Sequence, residues 1–438
     1  MHFAKKTCLF LLMVALTLAA VSASAEYYVE LPTTGIKTST QITVYVPDEN
    51  PDVEGINPIT GERWFGQYTP ILVSTDNHPD AVPHWGVSSA DIIYEFPIQM
   101  DGSTRQIALY MGELPNFVGP VRSGRVFMAS LREMWGGAWV FYGWQASFAQ
   151  QANPAVDVED FVTMLHKDAR QKGRWVFPFV EGMEMNYGKF FHRENDGNHV
   201  APHNVQVDLH AIASLFPVEP AKHPFLFTEE GLDHGTDVNS LSIAYKTTEP
   251  AYITGFNYNP DTGLYARTRN GEDYYDALNG AVCEFANVIV VRTDITNQNN
   301  NAARVVFQNV GQGTAEIFQN GKYIRGTWVR TNNANRADEY DALTHRMIFL
   351  DDAGNELVMK VGKTCIEVVN NDQPVVVSTG EQIQGAKMQA TVAPTATPKP
   401  TRTPKPTRTP KPNRDSAADS APVEQPETDE DADFFFGG

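Results

Sequence analysis

Cysteine is scarce: three in 438 residues, and one of them, Cys8, sits in a leading apolar run. That leaves Cys283 and Cys365, both in the second half, which form either one disulfide or two buried thiols. No cysteine lies near the end of the leading run, so no lipid-attachment site is expected there. Positive charge is also short, with a net charge of −19. A general nucleic-acid binder needs a basic face to displace counterions from phosphates, so that class is excluded. Long apolar runs are missing too. The longest, Cys8 to Val21, has about 14 residues where a membrane span needs about 20. A Gly-x-Ser-x-Gly elbow is absent, and no Cys–His pair suggests itself in the first half.

What is present begins with a processing signal. Lys5 and Lys6 precede the apolar run, and Ser22-Ala23-Ser24-Ala25 closes it with small residues. Residues 1–25 therefore read as a cleaved signal peptide. Residues 26–66 are punctuated by Pro, Gly and Asn and read as an N-terminal arm. Apolar content of 42% then allows real cores.

Strands are expected at Pro70 to Ser74, Ile92 to Phe96 and Gln106 to Tyr110. Three helices are expected after them. Ser123 would cap one carrying Phe127, Leu131, Met134 and Trp135; Asp157 would cap a second; Asn204 would cap a third with Leu209, Ile212, Leu215 and Phe216. Interleaved strands and helices predict an α+β, mixed N-terminal domain over 67–220. From about 245 the chain becomes a run of short β segments and turns. Asn320-Gly321 supplies the two positive-φ positions of a type I′ hairpin. A smaller, mostly β domain over 245–372 follows. Residues 390–438 begin with a Pro/Thr/Lys-rich repeat that favours polyproline II, a spacer of about 50 Å. An acidic run and Phe434-Phe435-Phe436 complete a tail read as disordered.

Several blocks carry a resemblance. They are Thr75-Asp76-Asn77-His78-Pro79-Asp80-Ala81, Gly86 to Glu95, Thr104-Arg105, Gly119-Pro120-Val121-Arg122-Ser123-Gly124-Arg125, His192-Arg193 and Ala201-Pro202-His203-Asn204. In this order they resemble the YerB-like lipoprotein family, bacterial proteins with paired domains of unknown function. Tyr258-Asn259-Pro260, Tyr265, Arg267, Gly271, Gly311 to Gly313 and Gly326-Thr327-Trp328 fit that family's C-terminal region. The resemblance covers roughly 68–370 and implies an extracytoplasmic location in Gram-positive bacteria, with no reaction attached. The chain departs from the family in lacking the lipid-bearing cysteine. It departs again at Gln99-Met100-Asp101-Gly102-Ser103, where the family's acid before Thr-Arg is displaced.

The candidate ligand-binding residues are Arg105, Arg122, Ser123, Arg125, Arg193, His203, Asn204, Asp76 and Asn77. Arg122 and Arg125 flank an expected helix start, whose free amides favour an anion, and guanidinium matches carboxylate or phosphate. The alternative is that these arginines pair with Asp91, Glu95 or Asp101 and pin strands together. His203 is either an acid/base near neutrality or the donor to a backbone carbonyl beside Pro202. Asp76 and Asn77 sit in a post-strand loop that Asx turns alone would explain. His192, His199 and His203 are not expected to hold a metal, because Asn195 to Asn198 breaks any helix. Trp139, Tyr142 and Trp144 read as core ahead of a sugar-binding groove.

Three function classes follow: a binding module for an anionic cell-wall component, an envelope hydrolase or transferase with Glu95 or His203 as acid/base, and a scaffold for an envelope protein. No cofactor is expected.

Overall fold

The computed structural model describes residues 26–29, 42–45, 55–146, 157–159, 161, 179–183, 188–213, 225–298, 301–330, 346–378 and 382–383. All of them belong to one unit, Met1–Thr391. The signal peptide and the 390–438 tail lie outside the described residues.

Runs of β-branched and aromatic residues bounded by turns form the strands. In chain order they are β1 (Ile71–Thr75), β2 (Ile92–Pro97), β3 (Thr104–Tyr110), β4 (Ala138–Phe141), β5 (Phe179–Glu181), β6 (Phe191–Arg193), β7 (Val205–Val207), β8 (Thr236–Asp237) and β9 (Ser240–Lys246). They continue with β10 (Tyr252–Asn259), β11 (Leu264–Arg269), β12 (Asn287–Thr293), β13 (Gly311–Gln319), β14 (Lys322–Arg330), β15 (Ile348–Leu350), β16 (Thr364–Asn370) and β17 (Val375–Val377). The helices are α1 (Val126–Trp135) and α2 (Leu209–Ala213).

An eleven-stranded sheet runs β8-β14-β13-β12-β16-β2-β3-β1-β4-β5, with β15 on β14. At its centre β16 lies parallel to both β12 and β2, pairing Glu367 with Glu95. Strands from the two ends of the chain therefore share one hydrogen-bonded sheet. Every residue of β2, β3 and β12 is buried, as expected of strands covered on both faces.

The side-chain alternation of these strands divides two cores. Ile92, Tyr94, Phe96, Ile107, Leu109, Ile289 and Val291 face α1, which supplies Phe127, Met128, Leu131, Met134 and Trp135. Ile93, Ala108, Tyr110, Val288 and Val290 face a second sheet, β11-β10-β9-β17, through Leu241, Ile243, Phe256 and Tyr265. Helix α1, the large sheet and the small sheet thus form three layers.

The expected mixed α+β N-terminal domain is corrected by this architecture, which is mostly β: 46% strand against 10% helix. The expected helix of Phe127, Leu131, Met134 and Trp135 is present as α1, but strands outnumber helices around it. Val205–Val207, just after Asn204, form the strand β7, and the helix that follows, α2, is described as far as Ala213, with Asp208 Oδ1 accepting the Ala211 N–H at 3.1 Å; Leu215 and Phe216 lie outside the described residues. Asn204 spends its side chain on the Glu194 carbonyl (2.8 Å), so it does not cap a helix. Ser123 is not a cap either. Helix α1 starts three residues later with Arg125 at its N-cap and no side-chain cap bond. Only Asp157 to Glu159 and Phe161 of the second expected helix are described. In β13–β14, Asn320 (φ 53°) and Gly321 (φ 70°) form the hairpin turn that the Asn-Gly pair predicts.

Candidate functional site

Three segments lie side by side where β1 ends. The 119–123 loop runs along it: Asp76 N–H donates to the Pro120 carbonyl and Arg122 N–H to that of Ser74, each at 2.8 Å. Along its other edge the loop meets β7, with Val121 N–H donating to the Val205 carbonyl at 2.7 Å. Gly119 permits that approach, because a Cβ there would lie 2.5 Å from the Val205 oxygen. Gly124 likewise leaves room for the Trp139 ring, which a Cβ would strike. The outcome is that Asp76, Arg122 and His203 converge.

The Asp76 carboxylate is nearly sealed, with 3% side-chain exposure. Its Oδ2 lies 2.6 Å from His203 Nδ1 and 2.9 Å from Arg122 Nε. The arginine contact is an ion pair rather than an aligned hydrogen bond. Oδ1 accepts the His78 N–H (3.2 Å) and stands 4.0 Å from Arg105. Burial alone would raise this carboxyl, but the His203 bond and the Arg105 and Arg122 charges hold it well below the usual range. Arg105, fully buried, donates to the Ser123 carbonyl at 3.0 Å. Burial pushes Arg105 down to about 10 against the pull of Asp76, so it stays charged at neutrality.

Asn77 carries the network inward. It donates to Glu95 (2.9 Å) and to Thr104 (2.7 Å), and it accepts from Arg269, whose Nη2 also reaches the Asn77 carbonyl at 2.6 Å. Glu95 points from β2 toward the second sheet, bonded to Arg267, Thr254 and Thr104. Glu367, its neighbour across the strands, is pushed up to about 8 by burial and by Glu95, so it is neutral at pH 7. Around Asp76 and Asn77, four arginines (105, 122, 267 and 269) therefore face two carboxylates, Asp76 and Glu95.

The candidate residues separate on this geometry. Asp76, Asn77, Arg105, Arg122 and His203 belong to one network, and Ser123 joins it only by its carbonyl. Arg125 donates to Gln145 Oε1 at 2.7 Å, and Arg193 to Asn204 Oδ1 at 2.8 Å, stacked over Tyr142. Glu95, fully buried, is tied between sheets and does not share His203's proton. The expected pairing of the arginines with Asp91, Glu95 or Asp101 is replaced by Asp76; Asp91 instead accepts the Met111 and Gly112 amides, and Asp101 pairs with Lys246. The His203 ring bonds a carboxylate and not a carbonyl beside Pro202. Trp139 is fully buried and donates to Ser74 Oγ, a core residue. Cys283 and Cys365 are free and buried.

Sequence reasoning missed His78, Arg267 and Arg269 as partners of this network. His78 stacks on His203, centroids 4.4 Å apart and planes 15° from parallel. His78, Asp80 and His203 lie close enough to suggest a metal. The stack argues otherwise. A metal sits about 2 Å from nitrogen in the plane of the ring, and one ion cannot lie in two nearly parallel, separated planes. Both Nδ1 atoms are also engaged, one with Asp76 and the other with the Asp80 N–H.

Two family models match adjoining parts of the chain. Residues 59–221 match the family model described as protein of unknown function (DUF3048), N-terminal domain, and residues 241–366 match its C-terminal domain. A candidate lipoprotein of Bacillus subtilis strain 168, YerB, is 23% identical over 334 residues, covering 74% of this chain and 89% of that protein. The crystal structure of the YerB protein from Bacillus subtilis has a TM-score of 0.56 at 23% identity, covering 72% of this chain and 96% of that one. That likeness shows a shared fold.

Proposed function

The chain belongs to the family of paired DUF3048 N- and C-terminal domains, and from that premise we propose that it is an extracytoplasmic envelope protein that binds an anionic ligand at the Asp76–Arg122–His203 cluster. The envelope location draws on the lipoprotein name of its relative and on the signal-like residues 1–25. Among the described residues no helix is long and apolar enough to cross a membrane.

The observation that carries the binding reading is the charge balance of the cluster. Four guanidiniums surround two carboxylates, and one of the four, Arg122, keeps 28% of its side chain exposed. Buried ions are ordinarily paired, so a network whose guanidiniums outnumber its carboxylates, with Arg122 at its surface, favours an anion from solution. The ligand class is a carboxylate or phosphate of a wall polymer. The test is retention of the full chain on isolated cell wall, with and without its anionic polymers. Retention that falls with salt, and is lost on polymer removal and in Arg122→Glu, supports the reading. Unchanged retention of the variant contradicts it.

A further inference from the structure

We propose that Asp76 and His203 form a general-base dyad that hydrolyses a carboxylic ester, with Arg122 holding the oxyanion. The proposal rests on the anion-binding reading in one respect: the carboxylate product would occupy the place assigned to the anion.

The proton position follows from elementary bonding. An ionised carboxylate only accepts, so the 2.6 Å contact requires a proton on His203 Nδ1, which in the neutral ring leaves the lone pair on Nε2. In an imidazole Nε2 points away from the Nδ1 partner, here from the sealed Asp76, and the His203 side chain is 12% exposed. Among the described residues Nε2 has no hydrogen-bond partner. Arg122 approaches the same Asp76 oxygen with Nε, and its two Nη groups, also without partners among the described residues, extend outward. A base lone pair and a cationic donor thus flank one carboxylate oxygen at the surface. The stacked His78 ring fixes the plane of His203 from one side. A base oriented by a third group is the geometry of activated-nucleophile sites.

The donor count favours an acyl group over a phosphoryl group. Arg105 is spent on the Ser123 carbonyl, Arg125 on Gln145 and Arg193 on Asn204. A phosphoryl group spreads its charge over three equatorial oxygens and draws several cationic groups. One outward guanidinium matches the single oxygen that becomes negative when an acyl carbon turns tetrahedral. In the reaction His203 Nε2 takes a proton from water as the water oxygen bonds to the carbonyl carbon. The carbonyl π electrons move to oxygen, against Arg122. The intermediate then collapses, the C–O bond to the alcohol breaks, and the imidazolium gives its proton to the departing alkoxide. Water and ester become acid and alcohol, with no other reactant. His203 is the catalytic residue; Asp76 is a positioning residue that sets its tautomer.

The test uses the full chain with p-nitrophenyl butyrate, following nitrophenolate release against pH, with thermal melts to check each variant's fold. General-base catalysis contributes about 10²–10⁴-fold, so His203→Ala is expected to lose about 100-fold or more, with partial rescue by added imidazole. His203→Asn keeps a donor toward Asp76 and should be equally inactive while staying folded. In Asp76→Asn the rate falls, because the ring loses the acceptor that holds its tautomer. The charged and titratable groups around that ring are Asp76, Arg105, Arg122, His78 and, behind His78, Asp80. Wild-type activity no greater than that of His203→Asn, or of free imidazole, overturns the proposal. Calorimetry with butyrate separates the two readings: butyrate binding that Arg122→Met abolishes, without ester hydrolysis, leaves the binding reading standing and the dyad refuted. Hydrolysis without butyrate binding does the reverse.

Discussion

His203 Nδ1 meets Asp76 Oδ2 at 2.6 Å, joining residues 127 positions apart at a carboxylate that also faces two arginines. Removing that carboxylate leaves the buried Arg105 without its counter-charge. Asp76→Ala should therefore destabilise the chain by about 3–5 kcal/mol, the cost of breaking a buried ion pair from one side. Urea denaturation checks it, and a midpoint unchanged from wild type would contradict the pairing. The sign of the pH effect follows from the lowered carboxyl. Its stabilisation is present above the ordinary carboxyl value of 3.8 and is lost as pH falls through the lower folded value.

Glu367 carries the opposite sign. Its folded value of about 8 lies above the ordinary 4.5, so the folded chain keeps a proton that the unfolded chain gives up. The stability tied to it is complete below about 4.5 and declines, by up to about 1.4 kcal/mol per pH unit, as pH rises toward 8. Glu367→Gln should flatten that decline and leave the variant more stable than wild type above pH 8, relative to their difference at pH 5. Parallel stability curves for the two proteins would show that Glu367 is ionised when folded.

Gly119 is the hinge of the site's construction. A methyl group there would press on the Val205 carbonyl oxygen, which accepts the Val121 N–H. Gly119→Ala should cost about 1–3 kcal/mol, the range for overpacking, and weaken anion retention with it. Equal denaturation midpoints would mean that the loop and β7 separate freely.

The central strands were legible because they are local. Ile71 to Thr75, Ile92 to Phe96 and Gln106 to Tyr110 are β-rich runs ended by turn residues, and Asn320-Gly321 announces its own turn. Asn204 misled because it looks like a cap from sequence, whereas its partner is the Glu194 carbonyl across a hairpin. Half of the site was readable as residue types: Asp76, Asn77, Arg105, Arg122 and His203 were all candidates. Who pairs with whom was not. Arg267 and Arg269 reach the network from the small sheet, 172 and 192 residues from Glu95 and Asn77, and no local signal marks contacts of that separation. Glu95 looked like an acid/base because burial cannot be read from one carboxylate in a strand.

The two thiols give an independent check on the cores. Cys283 and Cys365 are 2% and 0% exposed, and burial pushes Cys283 up to about 12. In a Cys8→Ser chain, Ellman's reagent should detect no thiol in native buffer and two after denaturation. One or two fast-reacting native thiols, or none after denaturation without reductant, would contradict the buried free pair.

The most direct test of the central claim is salt-dependent retention on isolated cell wall, comparing wild type with Arg122→Glu. The account predicts that wild type binds at low salt and is released at high salt or when anionic polymers are stripped, while Arg122→Glu, folded to the same melting temperature, fails to bind at any salt. Equal retention of the two proteins would contradict it, and would mean that the unmatched arginine charge beside Asp76 is structural.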